Sequence, residues 1–232
     1  AQFRRQRQMC IRDRNNIGLI NRDKVITFNF NGKSYQGYEG DTLASALLAN
    51  GVHLVGRSFK YHRPRGFIGA GVDEPNAKLQ VTINGHSEPN INATEIELVD
   101  GLSATSQNCW PSVEFDIGAI NNFLKRFFPA GFYYKTFMWP KSFWYKVYEP
   151  FIRKAAGLGV ASLEKDKERY EHKFEYCDLL VTGSGPSGLA SAYAAAKNGA
   201  KVILAEDKPR YGGTLLIAVS YTHLTLPTKL SV

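Results

Sequence analysis

Hydrophobic and polar residues alternate at 25–30 and again at 34–38, and a period of two is typical of β-strands with one buried face. Asn31-Gly32 lies between the two runs, where this dipeptide favours a tight hairpin turn. The pattern therefore predicts an antiparallel β-hairpin near the start of the globular part of the chain.

A short helix is predicted next, from its capping residues to the glycine that ends it. Leu43, Leu47 and Leu48 recur at the spacing of one helical face, which we expect to be buried. The polar pair at 41–42 supplies an N-cap, and Gly51 ends the helix.

Two more extended runs follow, at 78–83 and 94–98, and a second Asn-Gly pair stands between them at Asn84-Gly85. A hairpin, a helix and further strands in this order predict a β-grasp, ferredoxin-like domain, which we place at 15–105. Plant-type ferredoxins are expected to carry their cluster cysteines between the helix and the next strand. Because 56–76 has no cysteine, we expect this domain to be without a cluster.

The cysteine-free segment at 56–76 is instead basic and aromatic. Three interpretations stay open for it: contact with a nucleotide or another anion, an interface with a partner, or a solvated loop. Its basic residues are Arg57, Lys60, His62, Arg63 and Arg65, and its rings are Phe59, Tyr61 and Phe67.

Residues 106–173 form an aromatic-rich connector. Within it, 123–151 holds 13 of the 29 aromatic residues of the chain, too many to lie exposed on a soluble protein. We expect these rings to pack between domains or against a partner subunit rather than to form an aromatic cofactor box.

The start of a dinucleotide-binding domain is predicted at 174–217. Residues 179–181 have the character of a buried parallel strand, 189–198 of a helix, and 202–205 of a second strand. A strand, a helix and a strand in succession predict a truncated Rossmann-like βαβ unit, so the fold class is α+β followed by α/β.

A glycine-rich turn joins the first of these strands to the helix. Gly183, Gly185 and Gly188 have the G-x-G-x-x-G spacing that lets a pyrophosphate approach the backbone at a helix N-terminus. Glu206 lies 18 residues beyond Gly188, where an acidic side chain accepts hydrogen bonds from ribose hydroxyls. The turn and the acid together predict a dinucleotide site.

The net charge of +8 is concentrated at the ends of the chain. Residues 1–14 contain five arginines and 218–232 one lysine, and both strings resemble translated sequencing-adaptor read-through. We therefore expect both ends to be artefactual and without a packing surface, and we do not expect nucleic acid as a partner.

Other chemistry is not indicated by the sequence. Cys10, Cys109 and Cys177 make neither a disulfide framework nor a metal pair, the five histidines lack ligand spacing, and no catalytic residue can be named. No signal peptide and no long apolar run are visible, so we expect a cytoplasmic protein without a membrane partner.

Several long strings together closely resemble the N-terminal half of the alpha subunit of heterotetrameric sarcosine oxidases. The resemblance covers about 21–216 and implies an N-terminal fragment, because the dinucleotide domain is begun but not completed. The strings are DTLASALLANGVHLVGRSFKYHRPRG, EPNA, DGLSATSQNCWPS, PAGFYYKTFMWPKSFW, YEPFIRKAAGLG and CDLLVTGSGPSGLA.

The resemblance implies part of a flavin-dependent oxidoreductase that acts on CH–NH bonds with oxygen, although the fragment alone would be inactive. Members of the family oxidise sarcosine to glycine and hydrogen peroxide, with formaldehyde or methylene-tetrahydrofolate as the one-carbon product. The implied cofactors are NAD in this subunit, FAD and FMN on or shared with a partner subunit, and tetrahydrofolate in a missing C-terminal half. The implied partners are beta, gamma and delta subunits and a small-molecule substrate.

The resemblance also assigns a cofactor site by motif position. Two alternatives to this family remain. One is the alpha subunit of a related amine, opine or cyanide-forming flavin dehydrogenase, which is expected to keep cysteines that this chain lacks at 56–76. The other is an anion- or nucleic-acid-binding module. The implied site residues are Gly183, Ser184, Gly185, Pro186, Ser187, Gly188, Glu206, Asp207, Lys208, Gly213 and Thr214.

Overall fold

The computed structural model of the protein describes residues 20–127, 131, 137–157, 159–163, 169–208 and 210–216. The chain divides into two compact units, 1–166 and 167–232. The predictions for 1–14 and 218–232 concern residues outside the described ranges. Among the described residues, no helix has the length and apolar character needed to cross a membrane.

The described part of the first unit contains seven strands: β1 (Asn21–Phe30), β2 (Lys33–Glu39), β3 (Gly56–Arg57), β4 (Pro64–Arg65), β5 (Lys78–Ile83), β6 (His86–Asn92) and β7 (Ser103–Ser106). Five of them form a mixed sheet with the order β2-β1-β7-β5-β6. β1 and β7 run parallel, whereas the other neighbours are antiparallel. β3 and β4 form a separate antiparallel ribbon. The mixed sheet with one covering helix is the ferredoxin-like arrangement that the pattern predicts.

Both Asn-Gly pairs form two-residue hairpin turns, which confirms the hairpin predicted at Asn31-Gly32. The two asparagines have φ of 49° and 53°, in the left-handed region that this turn requires. At Asn84-Gly85 the chain reverses so tightly that Ile83 faces His86. β6 therefore starts directly after the turn, and the strand predicted at 94–98 is wrong.

Residues 94–98 form a turn instead, in which Glu97 makes an isolated bridge to Thr42. The strand missing from the prediction is β7, whose sequence SATS has a single apolar side chain, Ala104, to indicate burial. The sequence did not indicate β6 because proline is unfavourable within most strands. Pro89 is tolerated here because β6 is an edge strand of the sheet.

The helix α1 (Leu43–Ala49) is fixed at its start by a reciprocal cap. The Thr42 hydroxyl accepts the N–H of Ser45 at 3.2 Å, and the Ser45 hydroxyl accepts the N–H of Thr42 at 3.0 Å. Both donors would otherwise lack an acceptor at the first helical turn.

Helix α1 and the sheet enclose a common apolar core. Leu48 is 43% exposed, so the prediction that it joins the buried helical face is wrong. It lies about 100° around the helix from Leu47, which faces the sheet. The largest fully buried apolar side chains of this core are Phe28, Leu43, Leu47, Leu79, Leu98 and Leu102.

The connector consists of short helical turns rather than of one long helix. They are the 3-10 helices Ile117–Asn122 and Lys125–Phe127 and the π-helical turn Trp144–Tyr148, which continues into α2 (Glu149–Ala156). Many described rings of this region are exposed, with exposed fractions of 69–84% for Phe123, Phe127, Trp139, Tyr145 and Phe151.

The second unit contains β8 (Leu179–Thr182), α3 (Pro186–Lys197) and β9 (Val202–Ala205), with β8 and β9 parallel. The predicted βαβ unit is therefore confirmed. Its first strand is not buried as predicted, because Leu179 and Leu180 are 38% and 57% exposed. The cause is that α3 alone packs on the two-stranded sheet in the described part of this unit.

We expect the replacement of Leu47 by Ala to lower the free energy of unfolding of the first unit by about 2–5 kcal/mol, because it leaves a cavity beneath α1. Leu48→Ala on the same helix is the matched control and should cost less than about 1 kcal/mol. Urea denaturation followed by tryptophan fluorescence measures both, and equal losses would contradict the placement of the core.

Candidate functional site

The glycine turn between β8 and α3 is shaped by close contact between backbones. Gly183 has φ of 91°, which glycine adopts readily. A methyl group on Gly188 would overlap the carbonyl oxygen of Gly183, so helix and strand approach too closely for a side chain there. A methyl group on Gly185 would meet no atom within 4 Å, which leaves the backbone open to a ligand.

The N-terminus of α3 is suited to bind an anion. Gly185 is its N-cap, no side chain caps it, and its first turn has no acidic residue. The N–H groups of Ser187 and Gly188 have no acceptor within the helix at these positions. Together with the positive end of the helix dipole, they favour a phosphate group.

Glu206 directly follows β9, and its carboxylate is fixed at the turn by four hydrogen bonds. One oxygen accepts the N–H of Ser184 at 2.7 Å and also the Ser184 hydroxyl. The other accepts the N–H groups of Asp207 at 3.1 Å and Lys208 at 3.2 Å. These hydrogen bonds lower the pKa of Glu206 to about 2, and the Ser184 hydroxyl has the largest effect, followed by the N–H of Ser184. The side chain is therefore a carboxylate at neutral pH, and these four bonds occupy its roughly four lone-pair sites, with the two longest on the same oxygen. A further hydroxyl donor at that oxygen replaces one of those two bonds.

Ser184 connects the turn to the segment that follows β9. Its side chain is fully buried, and its carbonyl and hydroxyl oxygens accept the N–H of Gly212 at 3.0 and 3.2 Å. A methyl group on Gly213 would lie 3.0 Å from the Cα of Gly185, so this segment passes directly over the turn. The structure therefore places Gly213 next to Gly185 of the turn.

The other predicted residues lie around the turn with exposed side chains. No hydrogen bond between Thr214 and the turn is found within the described ranges, and Asp207 and Lys208 contact Glu206 through their backbone. The exposed residues of this set are Pro186, Ser187, Asp207, Lys208 and Thr214.

The basic segment of the first unit is used mainly to hold its own structure. The Arg57 guanidinium donates to the carbonyl oxygens of Val113 at 2.7 Å, Glu114 at 2.9 Å and His62 at 3.2 Å. Arg63 donates to Asn122 at 2.9 Å. These bonds tie the ribbon of β3 and β4 to residues 113–122, and they leave little of Arg57 for an external anion.

His62 and Asp116 form a buried pair in the same region, with 2.6 Å between His62 Nδ1 and Asp116 Oδ2. Asp116 also accepts the N–H groups of Trp110 and Gly118, each at 3.1 Å. A methyl group on Gly118 would overlap the His62 ring, so the two segments are in close contact. His62 is thus buried against residues 116–118, and no sequence motif indicated its contact with Asp116.

A second acid that the sequence analysis missed lies in the loop where ferredoxins hold their cluster. Glu74 is 1% exposed, and its carboxylate accepts the N–H groups of Ile68, Gly69 and Asn76 at 2.6–2.8 Å. An isolated glutamate followed by proline carries no motif for such a contact, because two of its three donors are six and five residues earlier in the loop.

Two family models match the chain, one in each unit. The first describes a 2Fe-2S iron-sulfur cluster binding domain and matches residues 23–109, and the second describes an FAD dependent oxidoreductase and matches residues 178–229. These matches contradict the predicted cofactors, which were NAD in this subunit, flavins on a partner, and tetrahydrofolate. A glycine turn with a following acid is shared by NAD and FAD sites, so the motif could not distinguish them.

The residues present do not fit a 2Fe-2S cluster. Such a cluster is held by four cysteine thiolates, or by two with two histidines. Residues 23–109 contain one cysteine, Cys109. In the described part of the chain, no three histidine, cysteine or acidic side chains are grouped so that they could hold a metal ion.

Two curated relatives match most of the chain, across both units. This chain is 59% identical over 199 residues to the sarcosine oxidase subunit alpha of Rhizobium meliloti (strain 1021), and the match covers 86% of this chain and 20% of that protein. It is 33% identical over 201 residues to the subunit of the same name from Corynebacterium sp. (strain U-96), which covers 84% of the chain and 16% of that protein.

Among solved structures, L-proline dehydrogenase from P. horikoshii matches 83% of this chain and 26% of its own, with 22% identity and a TM-score of 0.41. The chain spans about a fifth of the length of the curated relatives that it matches. From its identity to those relatives over most of its length, the chain belongs to the family of sarcosine oxidase alpha subunits.

Proposed function

We propose that this chain is part of a flavin-dependent amine oxidase and that its second unit binds the ADP portion of FAD. The observation that carries the proposal is the Glu206 carboxylate fixed at the glycine turn, within residues matched by the model of FAD dependent oxidoreductases. The complete enzyme then oxidises sarcosine with oxygen and water to glycine, formaldehyde and hydrogen peroxide. The identity to proteins named sarcosine oxidase supports this substrate.

The described residues fit the adenosine diphosphate end of the cofactor. The N–H groups at the start of α3 bind the pyrophosphate, and the open face of Gly185 lets it approach the backbone. Glu206 accepts hydrogen bonds from the ribose hydroxyls, and its negative charge excludes a phosphate in their place. Ser184 positions Glu206 and does not itself contact the cofactor through its buried side chain. Bound FAD supplies the two-electron oxidation of the amine carbon–nitrogen bond.

We also infer that the first unit functions without an iron–sulfur cluster, although its family model is named for one. The presence of a single cysteine within residues 23–109 supports this inference, because fewer than two thiolates cannot hold such a cluster. The loop that would surround a cluster is filled by the carboxylate of Glu74. The unit then serves as a structural and contact domain of the oxidase.

We propose that the exposed aromatic side chains within 123–151 form the contact surface for another subunit. Large exposed rings are rare on an isolated protein surface and common at the centre of interfaces. Tyr145 and Phe123 are 82% and 84% exposed, and Lys125, Arg126 and Lys146 lie beside them in the sequence. Such a surface fits a partner with apolar pockets and acidic side chains.

In the full-length protein, Glu206→Gln should reduce the affinity for FAD roughly tenfold or more, because a charged acceptor of the ribose hydroxyls is lost. Flavin absorbance of the protein after dialysis measures the retained cofactor. Glu175→Gln is the matched control, since its side chain is exposed and lies outside the glycine turn, so flavin content should be unchanged. Equal flavin retention by Glu206→Gln and the wild type would overturn the assignment.

The purified full-length protein should contain no iron and no acid-labile sulfide attributable to residues 23–109. Replacement of Cys109 by Ser provides the matched variant, because it removes the one cysteine in this range. Both proteins should give the same background in a colorimetric iron assay and after anaerobic reconstitution with iron and sulfide. Stoichiometric iron that is lost in Cys109→Ser would refute the absence of a cluster.

Phe123→Ser and Tyr145→Ser together should weaken recovery of the partner subunits when the tagged alpha subunit is purified from co-expressing cells. The reason is the loss of two large apolar contacts at an interface centre. Val25→Ser, at a 54% exposed position of β1 outside the aromatic region, is the control. Undiminished recovery with the double variant would contradict the contact surface.

A further inference from the structure

The loop at 66–76 is folded around a single buried carboxylate. Glu74 Oε2 accepts the N–H groups of Ile68 at 2.6 Å and Gly69 at 2.7 Å, while Oε1 accepts the N–H of Asn76 at 2.8 Å. The side chain is 1% exposed, so water does not replace these donors. The carboxylate thus joins both ends of the loop from its interior.

The charge of Glu74 is balanced by backbone dipoles and not by a cation. No ion pair involves this carboxylate within the described ranges. The ionisable side chains on the adjoining segments are exposed or half-buried, and they are His53, Arg65, Asp73, Lys78 and Glu95. Burial raises the pKa of Glu74, but the backbone N–H groups that point at its carboxylate outweigh burial, and the pKa is lowered overall.

The loop that holds this carboxylate lies between α1 and β5, the segment in which plant-type ferredoxins are expected to carry their cluster cysteines. The family model that matches residues 23–109 is named for a 2Fe-2S cluster, an anionic group whose sulfur atoms accept hydrogen bonds from the surrounding loop. Here the loop between α1 and β5 has no cysteine, yet its N–H groups still converge on a negative centre.

We infer that the Glu74 carboxylate replaces the iron–sulfur cluster as the anion that organises the loop at 66–76. The inference rests on the proposed absence of a cluster from this domain. It makes Glu74 a positioning residue, which keeps the loop ordered without metal or redox state. The loop therefore keeps its shape under conditions that would dismantle a cluster, such as chelation or oxidation.

The ionised state of Glu74 links this loop to pH. A carboxyl group with a folded-state pKa below its unfolded value stabilises the fold above the unfolded pKa, and this stabilisation is lost as pH falls through the folded pKa. With the pKa of Glu74 lowered from 4.5, the loss occurs below that pH. Protonation removes the charge that three N–H groups of the loop require.

Glu74→Gln in the full chain tests the inference, because an amide has one oxygen and cannot accept at both ends of the loop. The amides of Ile68 and Gly69, or that of Asn76, should exchange with deuterium about tenfold faster or more at neutral pH. The fall in loop protection of the wild type below pH 4.5 should be absent in the variant. Asp73→Asn, exposed and adjacent, is the control and should behave as the wild type.

Wild-type exchange rates and wild-type pH dependence in Glu74→Gln would overturn the role of Glu74. If the variant does not fold, the wild type alone decides, since its amides at 68, 69 and 76 must lose protection below pH 4.5 before those of Val81 in β5. Iron and sulfide bound by the wild-type domain would instead refute the proposed absence of a cluster. The two failures are distinguished by metal analysis of the same sample.

Discussion

Backbone N–H groups held by carboxylate oxygens fix the irregular segments of both units. Glu74 does so in the loop after the β3–β4 ribbon, Asp116 at the start of a 3-10 helix, and Glu206 at the glycine turn. These segments cannot pair their N–H groups in a sheet, and a buried N–H without an acceptor costs about 1–3 kcal/mol. An ionised carboxylate offers two oxygens to several donors at once and forms stronger bonds than a neutral acceptor. The shape of each loop therefore depends on one acid.

A feature of this fold could be predicted from the sequence where the residues that form it are neighbours in the chain, and could not where they are distant. The hairpin at Asn31-Gly32 and the cap at Thr42 are local, because the residues that form them are neighbours in the chain. The strand predicted at 94–98 failed because apolar alternation there is used for a turn that closes the core with Leu98, not for pairing. β7 was missed because its central place is set by its neighbours β1 and β5 and not by its own polar sequence.

The same distinction between local and distant contacts applies to the candidate sites. The glycine spacing was predictable because the constraints on the turn are local: Gly183 has a positive φ, and Gly188 lies too close to the carbonyl oxygen of Gly183 for a side chain. The cofactor was not, since the pyrophosphate and ribose, the groups proposed to bind at this turn, are common to NAD and FAD. The roles of Glu74 and Asp116 were hidden because their donors are defined only once the loops have folded.

The two units differ in how far their described residues complete a fold. The first encloses its own core, with Phe28 and Leu79 fully buried between α1 and the sheet. In the second, Leu180 is 57% exposed and one helix covers a two-stranded sheet, although the turn and its acid are already in place. Local hydrogen bonds are thus sufficient to shape the glycine turn, whereas they leave the strands beside it partly exposed. Under the proposed function, a ligand bound at this turn adds its binding free energy to the stability of the second unit, because it binds the folded turn and not the unfolded chain.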